Sequence, residues 1–340
     1  MVKPTIYDVA KHAGVGIGTV SRVLNNSEQV SADTRQRVMD AIHELKFKPN
    51  HAARKLPSKT RQRNIGVLTQ PFQSYPSFVE RLRGVQSALN EQIDDFELII
   101  YSVNSLEQMN DQITEITQSG LLDALIVIDF TTTEDQRRRL STVSIPFVNI
   151  NHNINANWPC IATDNVAGGR IAAEYLLSLG HRKIAYIGDT FENPYDFPTS
   201  KERFSGLLDR LAEDDVNIPD HYIHLGPHGF EAAKLLTREL LDQVDDLPTA
   251  IFAMSDMQAL GCVTMLRESG LRVPEDISVL GYDNLDISQH VGISTLDQHL
   301  ELSGRRAVEF LTNQQAGDAL PAALPDPIVI PRQTTQSINV

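Results

Sequence analysis

Apolar residues near the N-terminus recur at the spacing of two short amphipathic helices. The apolar positions are Val9, Ala10, Val20, Val23 and Leu24. Thr5 followed three residues later by Asp8 is a capping-box start for the first helix. Gly14 supplies the permissive backbone that a sharp turn between two helices requires. The pattern predicts a helix, a tight glycine turn and a second helix.

A third helix is predicted directly after this pair, with Ser31 as its cap. Its core stripe is formed by Val38, Ile42 and Leu45. The second helix leaves Gly16, Ile17, Gly18, Ser21 and Arg22 on its outer side. A short helix that presents hydroxyls and an arginine fits the DNA major groove, where Arg can bond guanine O6 and N7. Two amphipathic helices joined at a glycine also occur in other helical domains, so the pattern alone leaves that alternative open.

From Asn64 onward, short β-rich apolar runs alternate with helical patterns. One series of predicted strands comprises residues 65–69, 96–101, 124–128 and 147–150, and a second comprises residues 161–163, 183–188, 222–225, 250–254 and 277–282. Such alternation is typical of parallel sheets with helices on both faces. Near residue 290 the chain is expected to return to the first series, with a strand at 293–296 and a helix at 303–311. We therefore predict an all-α helix-turn-helix head and an α/β body of two doubly wound parallel-sheet lobes around a hinged cleft.

Charge is divided unevenly between head and body. Residues 1–63 carry twelve Lys/Arg and five Asp/Glu, a net charge of +7. The other 277 residues carry 18 Lys/Arg and 39 Asp/Glu, a net charge of −21. A basic head suits phosphate neutralisation and counterion release on nucleic acid. An acidic body suits solubility and discourages the body itself from lying on DNA.

Several classes of protein are disfavoured by composition. No stretch approaches ~18 uninterrupted apolar residues, so a transmembrane span is not expected. The start M-V-K-P-T lacks the apolar region of a secretory signal. Cys160 and Cys262 have no metal-like spacing and are expected to be buried free thiols. These observations predict a cytoplasmic, nucleoid-associated protein without a metal site or cofactor.

The segment between head and body reads as a short helix within a basic linker. Asn50 is a good N-cap, residues 51–56 form less than two turns, and Pro57 ends them. So short a helix is not stable alone in water, and we expect it to fold on DNA. Arg54 adds phosphate attraction, and Leu56 has no obvious local core, which suits a wedge at a minor-groove step. The alternative is an ordinary basic linker whose leucine packs on the head.

Motifs along nearly the whole chain resemble the LacI/GalR family of bacterial transcription regulators. The motifs are Y-D-V-A-K-H-A-G-V, T-V-S-R-V-L-N, V-S-A-D-T-R-Q-R-V, F-K-P-N, A-A-R-K-L and I-G-V-L. The resemblance implies a homodimer whose paired heads read two half-sites of a palindromic operator. It implies paired hinge helices that insert Leu56 into the minor groove, and a periplasmic-binding-protein-like body.

The predicted domains follow from the patterns and the resemblance together. They are a helix-turn-helix DNA-binding domain at 1–48, a hinge helix and linker at 49–63, and an effector-binding and dimerisation domain at 64–340. Within the body, lobe one is expected at about 64–158 and 293–325, and lobe two at about 159–292 and 326–340.

The DNA-binding residues that we predict span the head and the hinge. They are Thr5, Tyr7, Gly16, Ile17, Gly18, Thr19, Ser21, Arg22, Asn25, Asn50, Ala53, Arg54 and Leu56. Family members often carry a polar residue where this chain has Gly16 and Gly18. Each glycine weakens a helix interior by roughly 1 kcal/mol and offers no side-chain hydrogen bond. Base reading is therefore expected to depend on Ile17, Arg22 and the hinge.

Polar residues cluster just after the predicted strands of the body, where a cleft between lobes would contact a ligand. They are Asp129, Asn151, Arg203, Asp256, Asp283 and Gln298. Carboxylates, amides and guanidinium groups can each bridge neighbouring hydroxyls on a sugar. Faces for packing on a ring are offered by Phe72, Tyr75 and Phe78, with Phe130, Tyr195 and Phe197. The alternative for each polar residue is a cap, turn or salt bridge, most of all for Asp256, which begins a helix.

The family resemblance adds weight to Arg203, Asp283, Asn151 and Gln298 as effector contacts. Asn151 stands where relatives often have aspartate, which keeps hydrogen bonding and removes a charge. Catalysis is not indicated, because the chain has no G-x-x-x-x-G-K-[ST] loop, no G-x-S-x-G elbow and no H-E-x-x-H.

The sequence therefore predicts a DNA-binding repressor whose operator affinity is controlled by a small molecule, most simply a sugar, bound between the lobes. Control by a protein partner or by a purine-like ligand stays open as an alternative. A transporter component or an enzyme conflicts with the DNA-binding head.

Overall fold

A computed structural model describes residues 4–24, 30–45, 47, 63–71, 76–93, 95–150, 158–192, 198–244, 246–313 and 323–338. Internal contacts divide the chain into two units, Met1–Arg61 with Thr114–Leu122 and Gln62–Ile113 with Asp123–Val340. The predicted fold class, a helical head and an α/β body with parallel sheets, is confirmed. The domain limits themselves stay a prediction. Among the described residues, no helix is both long and apolar enough to cross a membrane.

The head consists of three helices, α1 (Ile6–Ala13), α2 (Ile17–Leu24) and α3 (Ala32–Glu44). Gly14 ends α1 in the left-handed region at φ 64°, which allows the sharp turn into α2. The Asp8 carboxylate accepts hydrogen bonds from the Thr5 N–H and hydroxyl, both at 2.7 Å, so the predicted capping box is present. Ser31 caps α3 by accepting a hydrogen bond from the Thr34 N–H. The head core contains Val9, Ala10, Ala13, Val20, Val23, Val38, Ala41 and Phe47.

The first lobe of the body is built on a five-stranded parallel sheet in the order β2-β1-β3-β4-β5. Its strands are β1 (Arg63–Thr69), β2 (Phe96–Ser102), β3 (Ala124–Ile128), β4 (Phe147–Ile150) and β5 (Cys160–Ile161), and the helices between them are α4 (Ser77–Gln92), α5 (Leu106–Ser119) and α6 (Glu134–Thr142). The expectation that residues 161–163 open the second series is wrong. Ile161 pairs with Ile150 and Cys160 with Asn149, so this short strand is the edge of the first sheet.

The second lobe contains a four-stranded parallel sheet in the order β7-β6-β8-β9. Its strands are β6 (Ile184–Asp189), β7 (Ile223–Gly226), β8 (Ala250–Ala253) and β9 (Ser278–Leu280). The helices of this part of the chain are α7 (Asn165–Ser178), α8 (Thr199–Ala212), α9 (Phe230–Gln243), α10 (Asp256–Glu268) and α11 (Asp286–Val291), with a 3-10 turn at Asp220–Tyr222. In each sheet the first strand along the chain lies inside and its successor lies outside, so the strand order reverses beside the first strand. Such a reversal is where open α/β sheets bind ligands.

The C-terminal part of the chain crosses back between the lobes. The strands β10 (Thr295–Asp297) and β11 (Ile328–Ile330) pair with each other in antiparallel fashion. The helix α12 (Leu300–Thr312) packs on α4 of the first lobe. Contrary to the expectation that residues 293–296 belong with the first lobe, Ser294 forms a bridge with Leu280 of β9. The chain therefore leaves the second sheet only after β10.

Glycines bring two pairs of helices into backbone contact. A Cβ atom at Gly84 of α4 would overlap the Glu301 carbonyl of α12, and one at Gly304 of α12 would overlap the Arg81 carbonyl of α4. In the second lobe, Gly206 of α8 approaches the Val166 carbonyl of α7 in the same way, and Gly169 of α7 approaches the Arg203 carbonyl of α8. In both lobes, the helix after the first strand therefore carries an Arg-x-x-Gly sequence, at 81–84 and at 203–206. Each glycine pair fixes the position of an arginine one turn away.

Candidate functional site

The outward side of α2 is the surface that the sequence predicts to read DNA. Tyr7 is 67% exposed and Ile17 is 40% exposed, although both are large and apolar. Arg22 is exposed as well, whereas Thr19 and Ser21 are half-buried. Thr5, Gly16 and Gly18 are exposed, and a Cβ atom at either glycine would meet nothing within 4 Å. Exposed apolar and basic groups on a short helix suit a partner surface that supplies both methyl groups and hydrogen-bond acceptors.

Several predicted contacts lie outside the described residues. In the head and hinge these are Asn25, Asn50, Ala53, Arg54 and Leu56, and in the body they are Phe72, Tyr75, Asn151, Tyr195 and Phe197. Their roles stay predictions.

We expect Arg22→Ala to weaken specific DNA binding by about 1–3 kcal/mol, because a bidentate arginine contact to a guanine discriminates by that amount. Fluorescence anisotropy with a selected palindromic duplex and with a random duplex measures the change. Arg37→Ala is the control, since Arg37 carries the same charge and is exposed on α3. Equal affinity of the Arg22→Ala and wild-type proteins for the selected duplex would contradict the assignment of α2.

Arg203 is the central charged side chain of the second lobe, although only 2% of it is exposed. Its Nε donates to Asn165 Oδ1 at 3.1 Å, and its Nη1 donates to the Met254 carbonyl at 2.5 Å. The guanidinium plane lies 3.5 Å from the centre of the Tyr282 ring. These contacts hold the side chain in one orientation, because a planar guanidinium that is both stacked and hydrogen-bonded has little freedom.

Asp283 and Gln298 meet beside Arg203. Arg203 Nη1 lies 3.8 Å from Asp283 Oδ1, and Gln298 Nε2 donates to the same carboxylate oxygen. Burial raises the pKa of Asp283, and the nearby Arg203 guanidinium partly offsets that rise. Asp283 has φ 119°, a backbone conformation that non-glycine residues seldom adopt. Three predicted effector contacts therefore form one buried cluster, and its carboxylate is held in a strained conformation.

Asp256 is fully buried, and its carboxylate is occupied by the protein itself. Oδ2 accepts the Leu285 N–H at 2.8 Å, and Oδ1 accepts the Thr295 hydroxyl at 2.5 Å. Ser255 rather than Asp256 caps α10, by accepting the Gln258 N–H. The geometry therefore favours the structural alternative for Asp256, as a support for the segment that carries Asp283.

We expect the stability of the protein to depend on Asp256 through pH. Burial, and then the nearby Asp283, raise the pKa of Asp256 to about 7. Since an unfolded aspartate titrates near about 3.9, the folded state holds this proton more tightly. The stabilisation is fully present below about pH 4 and is lost as the pH rises to about 7, by at most about 1.4 kcal/mol per unit.

Asp256→Asn should therefore flatten the fall in the free energy of unfolding between about pH 4 and pH 7. Urea unfolding at a series of pH values measures this slope. Asp209→Asn, on the exposed side of α8, is the control and should keep the wild-type slope. A wild-type slope in Asp256→Asn would show that another group is responsible.

The first lobe contributes a second buried ion pair. Asp129 follows β3 with φ 59°, and its carboxylate lies 3.4 Å from Arg81 Nη1 of α4. Gln70 follows β1 and donates through Nε2 to the Asp129 carbonyl at 2.8 Å. Arg83 of the same helix lies 2.9 Å from Asp286, three residues after Asp283, so α4 and the segment that carries Asp283 meet across the lobes. Asp129 thus directly follows β3, as the sequence predicts, and its partners Arg81 and Gln70 were not among the predicted contacts.

Three of the described aromatic residues pack against other parts of the protein. Phe78 is 3% exposed and belongs to the core of the first lobe, because it lies on the face of α4 that packs on the sheet. Its predicted role as a ring contact for a ligand stays a prediction. Phe130 is also fully buried, and Tyr282 is covered by the Arg203 guanidinium.

Sequence reasoning missed four further polar residues near the strand ends. Arg81 and Gln70 are described above. Asp189 ends β6, and its carboxylate accepts Gln258 Nε2 at 2.9 Å and lies 3.0 Å from His228 Nδ1. The rule that found Asp129 also applies to Gln70, Asp189 and His228, since each ends or follows a strand. The Arg-x-x-Gly sequence, which occurs at 81–84 and again at 203–206, could have indicated Arg81.

Two family models match the chain. The model of the bacterial regulatory proteins of the lacI family matches residues 5–50, and that of the periplasmic binding protein-like domain matches residues 173–335. Similar proteins include the HTH-type transcriptional regulator CelR of Thermobifida fusca, 31% identical over 324 residues, which are 93% of each chain. The HTH-type transcriptional repressor PurR of Haemophilus influenzae is 32% identical over 311 residues, 90% of each chain.

Solved structures agree with these matches. A complex of CelR with cellobiose has a TM-score of 0.68 at 29% identity, over 97% of this chain and 99% of the other. The lac repressor dimer bound to operator and the anti-inducer ONPF has a TM-score of 0.71 at 26% identity, over 98% and 100%. The chain therefore belongs to the lacI family of bacterial transcriptional regulators, which are not enzymes.

Proposed function

We propose that this regulator is a cytoplasmic, homodimeric repressor, and that a sugar bound between the lobes of the body controls its affinity for a palindromic operator. The observation that carries the ligand part is the pair of buried ion pairs, Arg81–Asp129 and Arg203–Asp283, one from each lobe. Desolvation of a buried charged pair often costs more free energy than the attraction between its charges supplies, so such pairs at strand ends favour a role besides stability. A polyhydroxyl ligand uses such pairs well, because each hydroxyl both donates and accepts.

The effector contacts in this proposal are Arg203, Asp283, Gln298 and Asp129. Asn151, Phe72 and Tyr75 are further proposed contacts from the sequence. Asp256 supports the site from behind, since protein groups use both of its oxygens. In the head, α2 enters the major groove while residues 49–63 fold on the operator.

A purine is the second candidate, because PurR proteins are among the similar sequences. Purine sites gain from flat aromatic faces that sandwich the base. The described aromatic residues that the sequence predicts for the site offer little of this kind, since Phe78 and Phe130 are buried in the lobe, and Tyr282 is covered by Arg203. The sugar is therefore favoured, and the cellobiose of the CelR complex supports the same choice.

Control requires that the ligand bind the DNA-competent and DNA-incompetent states with different affinities. The ion pair of Arg83 Nη2 with Asp286 Oδ2, at 2.9 Å, joins α4 of the first lobe to α11 of the second. Closure of the lobes on a ligand would change such contacts between the lobes, and in a dimer it would change the spacing of the two chain segments that enter the hinge.

The experiment begins with selection of duplexes from a random pool by the full-length protein. Operator affinity is then measured with cellobiose, other neutral sugars, hypoxanthine and guanine. We expect a palindrome to be selected, and a sugar to change its affinity by about 5–150-fold. A change with purines only would favour the second candidate. No preference for any palindrome over random duplex would refute the proposed function.

A further inference from the structure

Carboxylates compensate the positive charge of the arginines in the ligand cleft. The cations of its two arginines are already compensated, with 3.4 Å between Arg81 Nη1 and Asp129 Oδ2 and 3.8 Å between Arg203 Nη1 and Asp283 Oδ1. Arg203 also donates one hydrogen bond to Asn165 and another to the Met254 carbonyl. A site for phosphate or carboxylate needs uncompensated cations or backbone N–H groups that face the anion.

Asp189 adds a third carboxylate at the end of β6. It lies at hydrogen-bond distance from His228 and Gln258 and is buried. Gln258 lies two residues from Asp256, whose carboxylate accepts the Leu285 N–H close to Asp283, so this group belongs to the same neighbourhood. An anion entering here would meet this further carboxylate, and the protein would poorly offset the cost of its desolvation.

Two buried acceptors in the same neighbourhood lack a donor. Gln70 Oε1 and Gln298 Oε1 are buried, and no hydrogen bond reaches either atom from the described residues. Each amide is oriented by its nitrogen, toward the Asp129 carbonyl for Gln70 and toward the Asp283 carboxylate for Gln298. A buried acceptor without a donor costs about 1–3 kcal/mol, which a ligand hydroxyl or amine would recover and an anionic group without a proton would not.

One further arginine, Arg137, lies on the helix that follows β3. Arg137 of α6 donates to the Thr132 carbonyl, and its guanidinium is 3.7 Å from the centre of the Trp158 ring. That guanidinium is therefore already engaged on the protein.

We infer that the cleft selects effectors without net negative charge, rich in hydroxyl or amine donors, and rejects phosphorylated or acidic forms of the same molecules. This inference rests on the proposed function. The two ion pairs produce this selectivity, because each carboxylate neutralises the charge of an arginine that would otherwise attract an anion.

A titration with inorganic phosphate tests whether the cleft rejects anions, and it does not require the effector to be known. The full-length protein is titrated with phosphate up to about 20 mM at constant ionic strength near pH 7.5, and its melting temperature is followed. The wild type should show no saturable stabilisation that Arg203→Gln or Arg81→Gln abolishes, and any phosphate bound by the basic head should be unaffected by those variants. Asp129→Asn and Asp283→Asn each leave one arginine uncompensated and should gain saturable stabilisation, and asparagine tolerates the positive φ of both positions. Asp209→Asn, which removes an equal charge from the exposed side of α8, should gain nothing.

Three results would overturn the inference. The first is saturable stabilisation of the wild type by phosphate that Arg203→Gln, Arg81→Gln or Arg137→Gln abolishes. The second is failure of both asparagine variants, when folded, to gain phosphate binding. The third comes from paired ligands (glucose, glucosamine and glucose 6-phosphate), if the phosphorylated member binds as tightly as the others. We expect it to bind at least about tenfold more weakly.

If the asparagine variants do not fold, the wild-type titration still decides the question. The proposed function fails in a different way, through the absence of any response to every sugar and purine tested. The phosphate titration is independent of that outcome.

Discussion

Arg203→Ala is expected to lower the free energy of unfolding by about 3–5 kcal/mol and to abolish the response of operator binding to the effector. The loss of stability arises because Asp283 would remain buried without its cation, and because the Tyr282 ring would lose the guanidinium stacked on it. Urea unfolding of the full-length protein, followed by the fluorescence of its single tryptophan, Trp158, measures the first effect. Titration of operator binding with the effector measures the second.

The destabilisation should shrink in acid. Arg203 lowers the pKa of Asp283, so its removal raises that pKa further above the unfolded value. The variant therefore regains stability as the pH falls toward about 4, because the folded carboxyl is then neutral and no longer buried as an unpaired charge. Arg267→Ala, an exposed arginine on α10, is the control and should change stability by less than about 0.5 kcal/mol. A variant of Arg203 with wild-type stability and a wild-type ligand response would remove this residue from the site.

Gly206→Ala should destabilise the body by about 3 kcal/mol or more, although it adds only one methyl group. The new Cβ would overlap the Val166 carbonyl, and a backbone atom of a packed helix cannot move aside as a side chain can. Helix propensity acts in the opposite direction by about 1 kcal/mol, so the measured loss is a net value.

Ser205→Ala is the matched control for Gly206→Ala. It lies next to Gly206 on the exposed side of α8 and should be neutral or slightly stabilising. Thermal unfolding followed by circular dichroism compares the two variants. If Gly206→Ala melts within a degree of Ser205→Ala, α7 and α8 are not in the close contact that the structure describes.

The sequence predicted most of the fold because its patterns are local. The helices of the head follow from apolar spacing, the glycine turn and two caps, and most strands of the body are short apolar runs between helical segments. Pairing is not local, and this is where the prediction failed. Residues 160–161 form a strand of two residues whose sheet is chosen by the register with Asn149 and Ile150. The β-propensities of those two residues do not indicate which of two similar sheets the strand joins.

The candidate site was predictable where it depends on strand ends. Asp129 and Asp283 each follow a strand of a parallel sheet, and each meets an arginine of the helix that follows the first strand of its lobe. The direction of a side chain is harder to predict, since a helix turns each residue by about 100° and one position decides between core and cleft. Phe78 is buried on α4 for that reason, while Arg81 of the same helix lies beside Asp129.

The glycine crossings limit how a new ligand preference can be reached. Arg81 and Arg203 each project from a helix that is locked to its neighbour by main-chain contact, so neither can be shifted by small repacking. Diversity introduced on α4 or α8 would mostly yield unfolded protein. Libraries intended to make biosensors from this scaffold should instead randomise the connections after β1, β3 and β7, where changes in length and polarity leave those helix pairs intact.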